Sequence, residues 1–462
     1  PYSSAASDVY KRQSHCIAIG GGAGKYMTNS TTAESRQNTY IGHFAGAGDE
    51  SSISTNIGKW NTTVGSNSMV NITTGDENAC FGLNSGSKIT TGDYNACFGA
   101  FSANGATTGT ITGDGNAAFG QASLYELKTG SYNTSIGNRS MYENDDGSYN
   151  TAVGYQSLYY NRARSQGTAV GYYSQRNCDS TDSEEINYNV SVGAWALAGS
   201  DSPGSNTGNY NTALGYSAAY KMTSGGYNVA LGMNCMRNMT TAEQNTAVGY
   251  RSMFTTTTGK WNTSIGNESL YDAVSSEHCT AIGNYALRAN TANENTAVGS
   301  WSLSSNITGA YNTAVGRIAG RDCTGSDNTC IGYAAGYQMQ TGGYNIALGS
   351  KSGMGISSGG DQNIAIGANT QEAKGQFSGC VAVGVLAGNQ NKGNYNVAVG
   401  LESLREHNQT GNMYNTAIGT SSGKALTSGE RNVFLGAWSG NGVNQTNVVC
   451  LGYNTAVNQD NV

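Results

Sequence analysis

The sequence predicts an all-β protein, a parallel β-solenoid (β-roll) of about 25 stacked coils with a 17-residue repeat. Three observations carry this. A short motif ending in Gly recurs along nearly the whole chain. The apolar residues alternate with period two just before that Gly. The composition holds 66 Gly but only 2 Pro among 462 residues. Proline donates no backbone hydrogen bond and is excluded from central strands, so a chain spent on ladders avoids it.

The motif is clearest at Asn150–Gly154 and Asn312–Gly316. Its closing Gly occurs 25 times, from Gly20 to Gly452, and 13 of the 24 intervals are 17 residues long. Self-similarity at this period marks a repeat architecture. The residue before the Gly is always large and apolar, as in Val153, Leu214 and Phe98. Two before it stands a small residue in 23 of 25 copies. Three before it is mainly Thr or Val, and four before it is Asn in 20 of 25. An aromatic often lies five before, as Tyr94, Tyr149 and Trp261 do, and a second Gly seven before, as in Gly75, Gly92 and Gly225. β-branched enrichment over a short alternating run reads as a strand. Both glycines read as tight turns needing positive φ. One repeat is then a strand, a Gly turn, a second extended segment and a Gly corner. Helix is disfavoured, since each interior Gly costs it about 1 kcal/mol.

A lone coil of this size cannot fold. Ordering costs about 1–2 kcal/mol per residue, and two or three buried side chains return about 1.5–3 kcal/mol each. Stacking pairs each coil's backbone with its neighbours. At about 4.8 Å per coil, the array would extend on the order of 120 Å. The Asn column is expected to form an amide ladder, which stabilises stacked parallel strands. Alternation puts the large apolar column and the Thr column on one side of the strand, and the small column and Asn on the other. The large column is expected to fill the coil. The small column is then expected to face a neighbouring chain, the alternative being that small residues ease the coil's curvature.

Residues 1–13 fall outside the repeat, and their string SDVYKRQ resembles a translated library-adapter scar. Residues 14–462 read as a single continuous array. The net charge of −6 is mild, and no Lys/Arg cluster points to nucleic acid. No apolar run approaches the length of a membrane span, so no membrane insertion is expected.

The unit Asn–Thr–Ala–Val–Gly–x–x–Ser/Ala resembles the head-domain repeat of trimeric autotransporter adhesins and the Gly-rich shaft repeats of phage tail fibres, over residues 14–457. That resemblance implies a parallel β-roll, three chains about one axis and a role in attachment.

The candidate sites are few. Ten cysteines show no metal-like spacing. Cys80 and Cys97, in the small column of adjacent coils, are the candidates for a disulfide; the plainer reading is small buried hydrophobes. Glycan acceptors of the Asn–x–Ser/Thr type outside the ladder column are Asn29, Asn71, Asn138, Asn238, Asn306, Asn408 and Asn444. The four histidines share no column with carboxylates or Cys, and Asp76, Asp93 and Asp114 are too sporadic for a calcium repeat. No catalytic constellation, metal site or cofactor is expected, and the chain is read as no enzyme. The aromatic column is either a stacking ladder or a carbohydrate platform. Insertions at 104–115, 177–188, 200–209 and 406–414 should project from one edge, where repeat proteins place binding loops. The expected function is an extracellular structural fibre or filament subunit, self-associating as a homotrimer or head to tail. The alternative is a module that binds a glycan or cell surface through those loops. An ice- or sugar-binding solenoid would need a flat, exposed Thr array, which the expected orientation denies.

Overall fold

The computed structural model describes residues 15–27, 36–105, 109–178, 186–356, 359–372 and 375–456. Two units, Pro1–Ala242 and Glu243–Val462, follow one another. Each is a parallel β-solenoid. Among the described residues, the first carries twelve three-residue ladder strands, from Ile17–Ile19 to Val229–Leu231. The second carries thirteen, from Thr246–Val248 to Val449–Leu451. Within a unit each strand pairs in parallel with the next and in register. Thr151, Ala152 and Val153 face Thr168, Ala169 and Val170, and Thr296, Ala297 and Val298 face Thr313, Ala314 and Val315.

Hydrogen bonding runs round the whole coil. In the coil that starts at Gly137, Gly137 N donates back to Phe119 O at 2.8 Å, while Met141 N and Glu143 N donate forward to Ser157 O and Tyr159 O at 2.9 and 3.0 Å. The stretch after the closing Gly is a series of tight turns rather than the extended segment expected from sequence. Left-handed φ is supplied there by ordinary residues, such as Gln156 (52°) and Leu158 (47°), and before the strand by Tyr149 (59°). Such positions cost an L-residue about 1–2 kcal/mol. The ladder bonds made on both sides of each coil offset that cost.

The two glycines do different work. The closing one has positive φ, +137° at Gly171. The second, as at Gly92, does not, but a Cβ there would lie 2.5 Å from Gly113 O of the next coil. It is small because backbones approach closely.

The orientation of the strand is the reverse of that expected. Ala152, Ala169, Cys80 and Cys97 of the small column are fully buried inside the coil, as are Asn133 and Asn150. The large apolar column points outward: Ile265 is 39% exposed, Val315 37% and Ile331 41%. The physical reason is width. A coil this short encloses too little space for two facing large side chains, so the strand contributes small residues. Leu or Met four after the Gly, such as Leu124, Met141 and Leu158, fills the rest. The two exceptions in the small column support this. Tyr40 and Phe434 are both buried. Glycines four after the closing Gly face both rings, Gly24, whose Cβ would lie 3.2 Å from the Tyr40 ring, and Gly423, whose Cβ would lie 2.8 Å from the Phe434 ring, although Gly86 and Gly353 hold the same position against the small Cys80 and Ala347.

Candidate functional site

The interior is built of polar ladders. Asn133 Nδ2 donates to Asn116 Oδ1 at 3.0 Å and to Gly147 O at 2.8 Å, and its Oδ1 accepts from Asn150 N at 3.0 Å. The same arrangement repeats at Asn78, Asn95, Asn328 and Asn345. Serines three after the closing Gly form a second ladder, with Ser140 Oγ and Ser157 Oγ 3.0 Å apart. The Asp residues weighed for calcium cap backbone amides: Asp76 accepts from Lys59 N and Asp93 from Asp76 N, at 2.6 and 2.7 Å. Buried polar groups need such partners, and these are consumed in holding the stack.

Cys80 and Cys97 are register partners on adjacent strands, both buried and both free thiols. Burial pushes the Cys80 thiol up, and the neighbouring Cys97 adds to the shift. Burial also pushes Cys235 and Cys323 up to about 12.

Of the acceptor asparagines, Asn71, Asn408 and Asn444 are exposed, and Asn138 and Asn238 half-buried. Asn138 Nδ2 donates to Gln121 Oε1 at 2.9 Å. Asn29 lies outside the described residues. Asn306 does not reach solvent. It is fully buried and donates to Gly309 O at 2.8 Å. It stands seven after its closing Gly, a position that points into the coil, so a glycan there would require opening it.

The insertions leave the coil at one point of the repeat, after the turns and before the aromatic position. Residues 106–108 and 179–185, within two of them, lie outside the described residues. The aromatic column is a stacked ladder with exposed edges. Tyr132–Tyr149 and Tyr210–Tyr227 have centroids 5.3 and 4.8 Å apart and planes 16° and 5° apart.

Two features escaped the sequence. Arg164 replaces a corner Gly and is fully buried. Its guanidinium donates to Asn206 O and Thr207 O, at 3.3 and 3.1 Å, and to Asn209 Oδ1. These partners lie in the insertion at 200–209, so the side chain ties its own coil to that insertion. The signal was the break in the Gly column. The other is His407, buried in the second unit, with Nδ1 3.2 Å from Asn391 Oδ1. Burial holds its pKa below the ordinary value near 6.5.

Among the described residues no group of three His, Cys, Asp or Glu side chains could hold a metal ion. No described helix is long and apolar enough to cross a membrane. One interior cavity, lined by Gln175, Cys178, Asn189 and Asn206, measures about 20 Å³, enough for a single water-sized group. No protein-family model matches the chain, and no curated protein matches its sequence.

Proposed function

We propose that this chain is an extracellular structural fibre subunit, without catalytic activity, that self-associates along the outer face of its strands. One observation carries the reading. The two outward columns contain only uncharged residues, Thr, Ala, Val, Ile, Leu or Phe, at every ladder strand, and the large one is half-buried to exposed, reaching about 40% at Ile265 and Ile331. Monomeric soluble proteins rarely leave a continuous apolar stripe in water. Covering it returns about 1 kcal/mol per coil. Over a dozen coils that is comparable with the rigid-body cost of association, on the order of 4–15 kcal/mol.

The resemblance to trimeric adhesin heads favours three copies side by side. Chain-to-chain packing thus runs through the large column, not the small one. The ladders support the non-enzymatic reading, because the Asn and Ser side chains that recur in the interior are engaged in holding one coil to the next.

The test is a pair of outward substitutions, Ile265→Lys with Val315→Lys, which add charge to the stripe without touching the interior. The wild type is expected to scatter light as an oligomer at micromolar concentration. The variant is expected as a monomer with an unchanged circular dichroism spectrum. A monomeric wild type would overturn the proposal.

A further inference from the structure

Beyond the closing Gly, on the turn segment, the plate-like stacking of rings is broken over several successive coils in the first unit, whereas in the second unit Tyr285 and Trp301 form a tilted pair at 39°. In the ordinary ladders the rings stack like plates with only their edges to solvent, as in Tyr125–Tyr142 and Tyr142–Tyr159, whose planes are 5° and 2° apart. A sugar cannot lie on such a stack, because each face is taken by the next ring. Between Tyr155 and Tyr220 the planes turn. Tyr172 and Tyr173 are 4.0 Å apart and tilted by 47°. Trp195 crosses Tyr172, Tyr173 and Tyr220 at 66°, 67° and 69°. Tyr155 and Tyr172 remain stacked on each other, 5.5 Å and 14° apart, but the stack ends at Tyr172, where the next ring, Trp195, is turned by 66°, and Tyr172 is 46% exposed.

A fixed cation stands over this patch. The Arg176 guanidinium lies 5.1 Å from the Tyr173 ring centroid and 5.6 Å from that of Tyr159. Its Nε donates to Gln156 Oε1 and its Nη1 to Asn177 Oδ1, both at 3.0 Å. Both amides are more than nine-tenths buried, so they hold the guanidinium in place without neutralising it. Elsewhere on the same column the cations are paired, Arg288 with Glu268 at 3.1 Å and Lys424 with Glu402 at 2.6 Å. Among the described residues no carboxylate lies within ion-pair distance of Arg176, or of Arg237, which lies over Tyr220 at 5.1 Å. An arginine carries five N–H donors, and neutral amides occupy two of these. The chain carries a net negative charge, yet among the described residues neither guanidinium has an acid partner.

We infer that this patch binds an acidic glycan, a uronate- or sulfate-bearing sugar chain. The apolar face of a sugar ring lies on the exposed, electron-rich face of Tyr172, with Tyr173 and Trp195 as side walls, and its anionic group pairs with Arg176. The patch lies round the closing-Gly corner from the apolar stripe, so this inference stands apart from self-association, and either can fail alone.

The test titrates the full chain with an oligogalacturonate, a sulfated oligogalactose and a neutral oligogalactose of equal length, following tryptophan fluorescence and heat. The acidic sugars are expected to bind about tenfold or more tighter than the neutral one, the range for hydrogen bonds to a charged group. Arg176→Gln is expected to remove that preference and leave neutral binding unchanged. Trp195→Ala should weaken all three. Should Trp195→Ala fail to fold, Tyr172→Ser, at an exposed position, replaces it. Absence of binding, equal binding of acidic and neutral sugars, or an unaffected Arg176→Gln variant would each overturn the inference. Light scattering on the same samples reports self-association separately.

Discussion

Gly171→Ala is expected to cost about 3–5 kcal/mol and to open the stack locally. Two penalties combine at this position. The φ of +137° lies where L side chains are strained, worth about 1–3 kcal/mol. The new Cβ would also sit 2.5 Å from Gly193 O. That oxygen belongs to the backbone of the next coil, which is held in the ladder and cannot give way cheaply. Gly442→Ala separates the two effects. Gly442 has φ +78° and nothing within 4 Å of its Cβ position, so it should lose only the strain, about 1 kcal/mol. Denaturant titration of both variants measures the difference. Equal losses would mean that coil-to-coil contact is not what selects Gly in this column.

Asn133→Ala is expected to cost about 2–5 kcal/mol. The side chain is fully buried. Its removal leaves Asn150 N and Gly147 O without the partners they have at 3.0 and 2.8 Å, and each unmet buried group costs about 1–3 kcal/mol. In a repeat array the damage should stay near its site, because each coil contacts only its neighbours. Hydrogen exchange should therefore quicken between residues 116 and 167 and be unchanged in the second unit. A loss under about 1 kcal/mol, the usual size for a surface substitution, would remove the Asn ladder from the stability of the coil.

The repeat, its strand, its Asn ladder and its closing Gly were all legible in the sequence, because each is a fixed residue type at a fixed spacing. The facing of the strand was not. Alternation says which residues share a side, but it does not say which side is inside. Hydrophobicity chose Val and Ile for the interior, whereas coil width chose Ala, Ser and Cys. The Thr column turns outward with Val and Ile, so the argument used against an exposed Thr array no longer holds. Positive φ at Leu158 and Gln156 was also hidden, since nothing in a leucine announces a left-handed backbone. The aromatic patch around Trp195 was legible as residues but not as tilted rings, because ring orientation depends on contacts between coils.

The narrow interior has a thermal consequence. Exposure of apolar surface raises the heat capacity of the unfolded state and exposure of polar surface lowers it, with a net of about 12–15 cal/mol/K per residue for ordinary domains. Here much of what unfolding uncovers is Asn and Ser amide, hydroxyl and backbone, with Ala where other proteins keep Leu or Phe. The heat-capacity increment per residue should fall below that range, and scanning calorimetry would show an ordinary value if this is wrong. A small increment flattens the dependence of stability on temperature. A fibre assembled from such coils would hold nearly the same strength in cold water as in warm.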